Sequence, residues 1–159
     1  MSIRVRPLLE ADLEPLAVID TAYAAAHSLP PAVSLATLRF FERSGHSFVA
    51  ERVDDDGLAR PTGYLSAQAI WTGDSPTVHA LRLAVDDVAA AEARVALVRA
   101  LVKSAYDAGV YQLLFRTPGT DESLRDALQA EGYLPDDHVT LELVLGSRAS
   151  EWAERLRAR

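Results

Sequence analysis

Apolar and polar residues alternate at the start of the chain, with Ile3 and Val5 set between Arg4 and Arg6. That period predicts a short half-buried strand, which Pro7 closes. From Glu10 or Asp12 the period becomes helical, with Leu13, Leu16, Ile19 and Tyr23 on one stripe until Pro30-Pro31 breaks it. A second helix is expected from about Ser34 to Arg43, carrying Leu35, Leu38 and Phe41 and stopped by Gly45.

Three strands then follow: Ser47 to Val53, Thr62 to Trp71 and Thr77 to Val85. They are separated by Asp54-Asp55-Asp56-Gly57 and Gly73-Asp74-Ser75-Pro76, turn chemistry tight enough to imply an antiparallel meander. A long helix from about Val88 to Ala108 places Val88, Val95, Val98, Val102 and Ala105 on one face, and Gly109 ends it. Tyr111 to Arg116 reads as an apolar strand. Thr120 or Asp121 caps a helix running to Glu131, and Gly132 follows. Val139 to Leu145 predicts a last strand, and the tail from Ala149 carries a helical pair, Trp152 and Leu156, fit to dock on the domain or on a second subunit of a homodimer. With no repeat or linker, residues 1–159 read as one domain of order β-α-α-β-β-β-α-β-α-β-α.

A hydrophobic fraction of 49% and a charged fraction of 25% fit a globular domain. The net charge of −7 argues against nucleic acid or an anionic membrane as partner. No apolar run approaches the roughly 18 residues that a membrane span needs. The chain has no cysteine, which excludes disulfides, thiolate metal sites and cysteine nucleophiles. The opening MSIRVRPLLEAD is unlike a signal peptide, so a cytoplasmic location is expected. The histidines are too dispersed for a metal motif, and the Asp54–Asp56 run lacks the downstream glutamate of a calcium loop, so no metal is expected.

Several segments together resemble the GCN5-related N-acetyltransferase (GNAT) superfamily. IRVRPLLEADLEPLAVI is similar to its first strand and helix, and HALRLAV to its fourth strand. SAYDAGVYQLLFR resembles the passage into its fifth strand, and LQAEGY a helix end that usually reads Gly-Phe. The resemblance implies an α+β fold in which a mostly antiparallel mixed sheet has helices on both faces and strands four and five splay apart. It also implies acetyl-CoA as the acyl donor and an amine, on a small molecule or a protein N-terminus, as acceptor. The backbone of Leu83, Ala84 and Val85 would then pair with pantetheine, and the turn carrying Asp87, Ala90, Ala93 and Arg94 would face the pyrophosphate.

Two departures from the family pattern stand out. Ala90, Ala93 and Val95 fill positions where glycines and an arginine or glutamine loop would cradle phosphates. Asp86 and Asp87 are natural helix caps whose charge competes with a phosphate at the helix N-terminus. Where many members carry an acid tyrosine this chain has Leu128, with Tyr106 and Tyr111 as possible substitutes.

His79 takes the place of the family's general base, imidazole being a capable base near neutral pH; the plain alternative is a solvent-facing histidine at a strand start. Strict alternation puts Arg82 on the opposite sheet face from His79. It puts Tyr64 and Gln68 on one face and Trp71 on the other, so the first two either line an acceptor groove or pack against a helix. Arg116 either meets an acidic group near the splay or is a solvated strand end. Two functional readings follow: an acetyl-CoA-dependent N-acyltransferase, or a GNAT-like binding or dimerisation protein without catalysis.

Overall fold

The computed structural model describes residues 2–87 and 90–141. The first strand, β1 (Ser2–Pro7), leads through a 3-10 turn at Glu10–Asp12 into α1 (Leu13–Ala26) and then α2 (Leu35–Glu42). The meander is β2 (Phe48–Val53), β3 (Ala59–Thr72) and β4 (Ser75–Val85). The long helix α3 (Ala90–Asp107), a short β5 (Leu113–Phe115) and α4 (Glu122–Ala130) complete the described elements. The sheet order is β1-β2-β3-β4-β5, antiparallel throughout except for the parallel β4–β5 pair.

The two sheet faces carry separate cores. Over one, α3 and α4 bring Leu97, Val98, Leu101, Leu124 and Leu128 against Leu65, Val78, Ala80 and Leu83. Over the other, α1 and α2 bring Leu16, Ile19, Tyr23 and Leu38 against Val49, Tyr64 and Ala84. A sheet with both faces covered is the layered solution that buries the apolar stripe of each helix.

The boundaries differ from the sequence reading in instructive places. Thr72 pairs with Ser75, so the hairpin between β3 and β4 turns on Gly73-Asp74 alone and Pro76 lies inside β4, opposite Trp71. Gly73 has φ +73°, the conformation a two-residue hairpin turn demands at its first position. In α3 the fully buried stripe is Ala93, Leu97, Leu101 and Ala105 with Val98, whereas Val102 is 41% exposed. The valines suggest a face rotated from the real one, because the smaller Ala93 and the leucines fit closer to the sheet. Val139–Leu141 form no strand, and the rest of the expected last strand lies outside the described residues, as does the Trp152–Leu156 tail.

Candidate active site

The candidate site grows from two irregularities in the sheet. Ser66 pairs with Arg82 but Ala67 pairs with Ala80, so Leu81 is an extra residue in β4. A bulge of this kind reverses the alternation beyond it. Ahead of Leu81, His79 stands opposite Gln68 on the α1 face; after it, Arg82 and Ala84 stand opposite Ser66 and Tyr64 on that same face. The expectation that Arg82 and His79 lie on opposite faces is therefore wrong, and the one-residue bulge is the reason.

The second irregularity is where β4 and β5 part. Their pairing runs from Val78–Leu113 to Ala80–Phe115 and ends with Arg116 N donating to the Ala80 carbonyl at 2.9 Å. From Leu81 to Val85, β4 continues with no described strand beside it on that side, leaving a notch with an open backbone edge among the described residues. Leu83 and Ala84 have buried side chains, so their main chain is what the notch presents. On its inner side β3 is pressed close: a Cβ on Gly63 would come within 2.7 Å of a Val85 methyl and 2.9 Å of the Ala84 carbonyl.

Over the notch, the α1 face carries a connected polar cluster. Asp20, fully buried, accepts hydrogen bonds from the Tyr64 hydroxyl at 2.6 Å and from the Val33 amide at 3.0 Å. Arg82 Nε lies 3.3 Å from Asp20, and the same guanidinium donates to the Pro30 carbonyl at 2.7 Å. Its Cζ sits 5.5 Å from the centre of the Tyr23 ring, within cation–π range. The Tyr23 hydroxyl donates to Asp121 at 2.8 Å, and Asp121 also caps α4 by accepting from Leu124 N at 3.0 Å. His27 lies against Tyr23 at 4.5 Å between centroids and bonds Thr120 at 2.8 Å.

Burial, then the Asp121 carboxylate, hold the Tyr23 hydroxyl well above the usual phenol range; burial, then Asp20, do the same for Tyr64. Both hydroxyls therefore stay protonated at physiological pH. The sequence did carry a sign of this cluster. Asp20 falls on the same helical stripe as Leu16 and Tyr23, where a carboxylate must find partners or pay full desolvation.

The individual expectations meet different environments. His79 is half-buried, and its Nε2 is buried without a hydrogen-bond partner among the described residues. Gln68 is half-buried beside it, whereas Tyr64 is 2% exposed and props Asp20 from beneath instead of lining an open groove. Trp71 is 74% exposed on the other face. Arg116 is exposed at the end of β5. Ala90 opens α3 and Ala93 is buried in the core below it. Arg94, half-buried on the same turn, is close enough for its charge to act on Tyr23. Asp86 is drawn toward β3: its amide donates to the Thr62 carbonyl at 2.8 Å and its carboxylate accepts from the Thr62 hydroxyl. Asp87 is exposed. Leu128 packs in the core, while Tyr106 and Tyr111 meet edge to face at 6.0 Å and are 69% and 78% exposed.

Comparison with known proteins agrees with this fold. Wild-type TTHA1254 of Thermus thermophilus is 40% identical, with a TM-score of 0.70 over 91% of this chain and 99% of that one. A ribosomal-protein-alanine N-acetyltransferase from Brucella melitensis biovar Abortus 2308 superposes with a TM-score of 0.68 at 17% identity, over 91% of this chain and 100% of that one. A chain of the NatC complex bound to Gag peptide and CoA superposes at 0.66 and 17% identity, covering 84% of this chain and 86% of its own. No curated protein matches the sequence. The model of a family described as "Protein of unknown function (DUF1999)" matches residues 3–158, so the chain belongs to that family and carries it on the fold of the GNAT acetyltransferases.

Proposed function

We propose that the protein is an acyl-CoA-dependent N-acyltransferase that uses acetyl-CoA and acts on an amine, on a small molecule or at a protein N-terminus. The observation that carries the reading is the notch itself: β4 leaves β5 after Ala80 and offers the open edge of Leu83–Val85 beside a histidine whose Nε2 has no partner among the described residues. An extended pantetheine arm, with its amide groups, suits such an edge, since an extended ligand can pair with it as another strand would.

Bound acetyl-CoA would supply an activated acyl group as a thioester. Leu83, Ala84 and Val85 would hold the arm through their backbone, and Arg94 on the first turn of α3 would face the pyrophosphate in place of the missing glycine amides. Ala90, Ala93 and Asp87 lie along the same stretch, with Asp87 opposing the phosphate charge. His79, with Gln68 opposite it, would accept the proton of the attacking amine at Nε2. Tyr64 acts through Asp20, and Arg116 stands where an acidic acceptor group could be met at the notch rim.

The second reading, a binding protein without catalysis, is favoured by the glycine-free α3 turn and by apolar Leu128. Acetyl-CoA added to the protein separates them. A ligand selective for the folded state must raise its melting temperature. A rise with wild type, together with a His79→Ala variant that binds equally well but turns over at least about tenfold more slowly, fits general-base catalysis, which is worth roughly 10²–10⁴-fold. No rise at millimolar acetyl-CoA overturns the acyltransferase reading.

A further inference from the structure

We infer that the hydrogen bond between Tyr23 and Asp121 is a closure across the notch between β4 and β5, which an entering thioester arm must open. The inference rests on the acyltransferase reading for the identity of the occupant, but the closure is a property of the fold alone. Tyr23 projects from α1, on one side of the sheet, while α4 packs into the core on the other. Asp121, the cap of α4, receives the Tyr23 hydroxyl at 2.8 Å. The line joining the two helices therefore crosses the sheet edge that β5 vacates after Phe115.

The closure is filled as well as bonded. Tyr23 is 8% and Asp121 4% exposed, and the ring contacts both the Arg82 guanidinium and the His27 imidazole. Of the five tyrosines, Tyr23 alone occupies this place. Tyr64 is committed to Asp20, Tyr133 lies in the α3 core beside Phe115, and Tyr106 and Tyr111 face solvent. Asp121 has one oxygen on its own helix and the other on Tyr23, with His27 Nε2 3.9 Å from that second oxygen. Removing the phenol hydroxyl therefore leaves the cap in place and cuts the phenol's tie to α1, while the His27–Thr120 bond beside it remains. A protein whose binding-competent state must first break such a bond binds more weakly by the fraction of time it is open.

The test is a Tyr23→Phe variant of the full chain, titrated with acetyl-CoA beside wild type. Hydrogen exchange is followed at the Arg116 amide, which closes the β4–β5 pairing, and at the Leu124 amide. The closure predicts acetyl-CoA affinity about tenfold tighter in the variant, the worth of one such bond, and faster exchange at Arg116 with Leu124 still protected. Unchanged or weaker affinity overturns it. If neither protein binds acetyl-CoA, the acyltransferase reading fails and exchange alone decides. Faster exchange at Arg116 then upholds the closure, and unchanged exchange overturns it.

Discussion

His79 and Arg82 share one face of β4, three residues apart, because Leu81 is an extra residue between them. The bulge brings Arg82 within 3.3 Å of Asp20 instead of turning it toward the α3 core. The two residues then have opposite circumstances: Arg82 is paired, while His79 keeps a buried nitrogen without a partner among the described residues.

An unsatisfied buried group costs stability that an apolar group of similar shape would not. His79→Leu should therefore leave the protein as stable or raise its stability by about 1 kcal/mol, while abolishing the proton-accepting role proposed for it. Urea denaturation beside a turnover assay checks both. A large loss of stability would mean that the imidazole is a structural element, and the orphaned nitrogen would cease to be an argument for function.

Asp20 is the converse case. It serves the Tyr64 hydroxyl, the Ala32 and Val33 amides and Arg82 from a fully buried position. Asp20→Ala leaves a buried guanidinium uncompensated and should cost about 3–5 kcal/mol, as breaking one side of a buried pair does. Arg82→Leu should cost less, since the amides and Tyr64 remain to satisfy the carboxylate. Chemical denaturation of the two variants should rank them in that order; the reverse order would show that the arginine carries the cluster.

Much of the fold was legible because hydrophobic period and turn chemistry agree: nearly every described element lies within a few residues of its expected place. The bulge at Leu81 was not legible. In HALRLAV the polar His79 and Arg82 stand three apart with Ala80-Leu81 between them, and in so short and apolar a run that spacing does not locate an extra residue until a partner strand fixes the register. The notch could be expected only by resemblance, since it depends on β5 ending at Phe115 while β4 runs on to Val85. The Tyr23–Asp121 tie joins residues 98 positions apart and had no local signal at all.

Gly63 marks how closely β3 and β4 meet at the inner wall of the notch. The Cβ of an alanine would stand 2.9 Å from the Ala84 carbonyl, a backbone atom that cannot swing away. Gly63→Ala should destabilise by about 1–3 kcal/mol, the usual cost of overpacking, and should shift the amide resonances of Ala84 and Val85. Wild-type stability together with unmoved resonances would refute the close approach.

The pH dependence of stability should have two separate limbs. Burial opposes the charge of Glu51, but hydrogen bonds from Arg4 and Arg6 outweigh it and hold its pKa below the usual carboxylate value. A depressed carboxylate contributes stability above its unfolded pKa and loses it as pH falls through the folded one. Glu51→Gln should accordingly lower stability at neutral pH and flatten the acid limb below about pH 4.3, the ordinary glutamate value.

His46 is shifted by burial alone, which lowers its pKa; its Nδ1 lies 2.8 Å from Ser104 Oγ. Here the unfolded chain takes up the proton first. Stability is full above the unfolded value near 6.5 and declines as pH falls below it, until the folded group is protonated as well. A His46→Gln variant should lose the decline between about pH 6.5 and the folded pKa while keeping the Glu51 limb. Melting temperatures taken from pH 8 to pH 3 on wild type and both variants check the assignment. If His46→Gln melts in parallel with wild type from pH 7 to pH 5, the imidazole is not buried in the neutral form as its contacts imply.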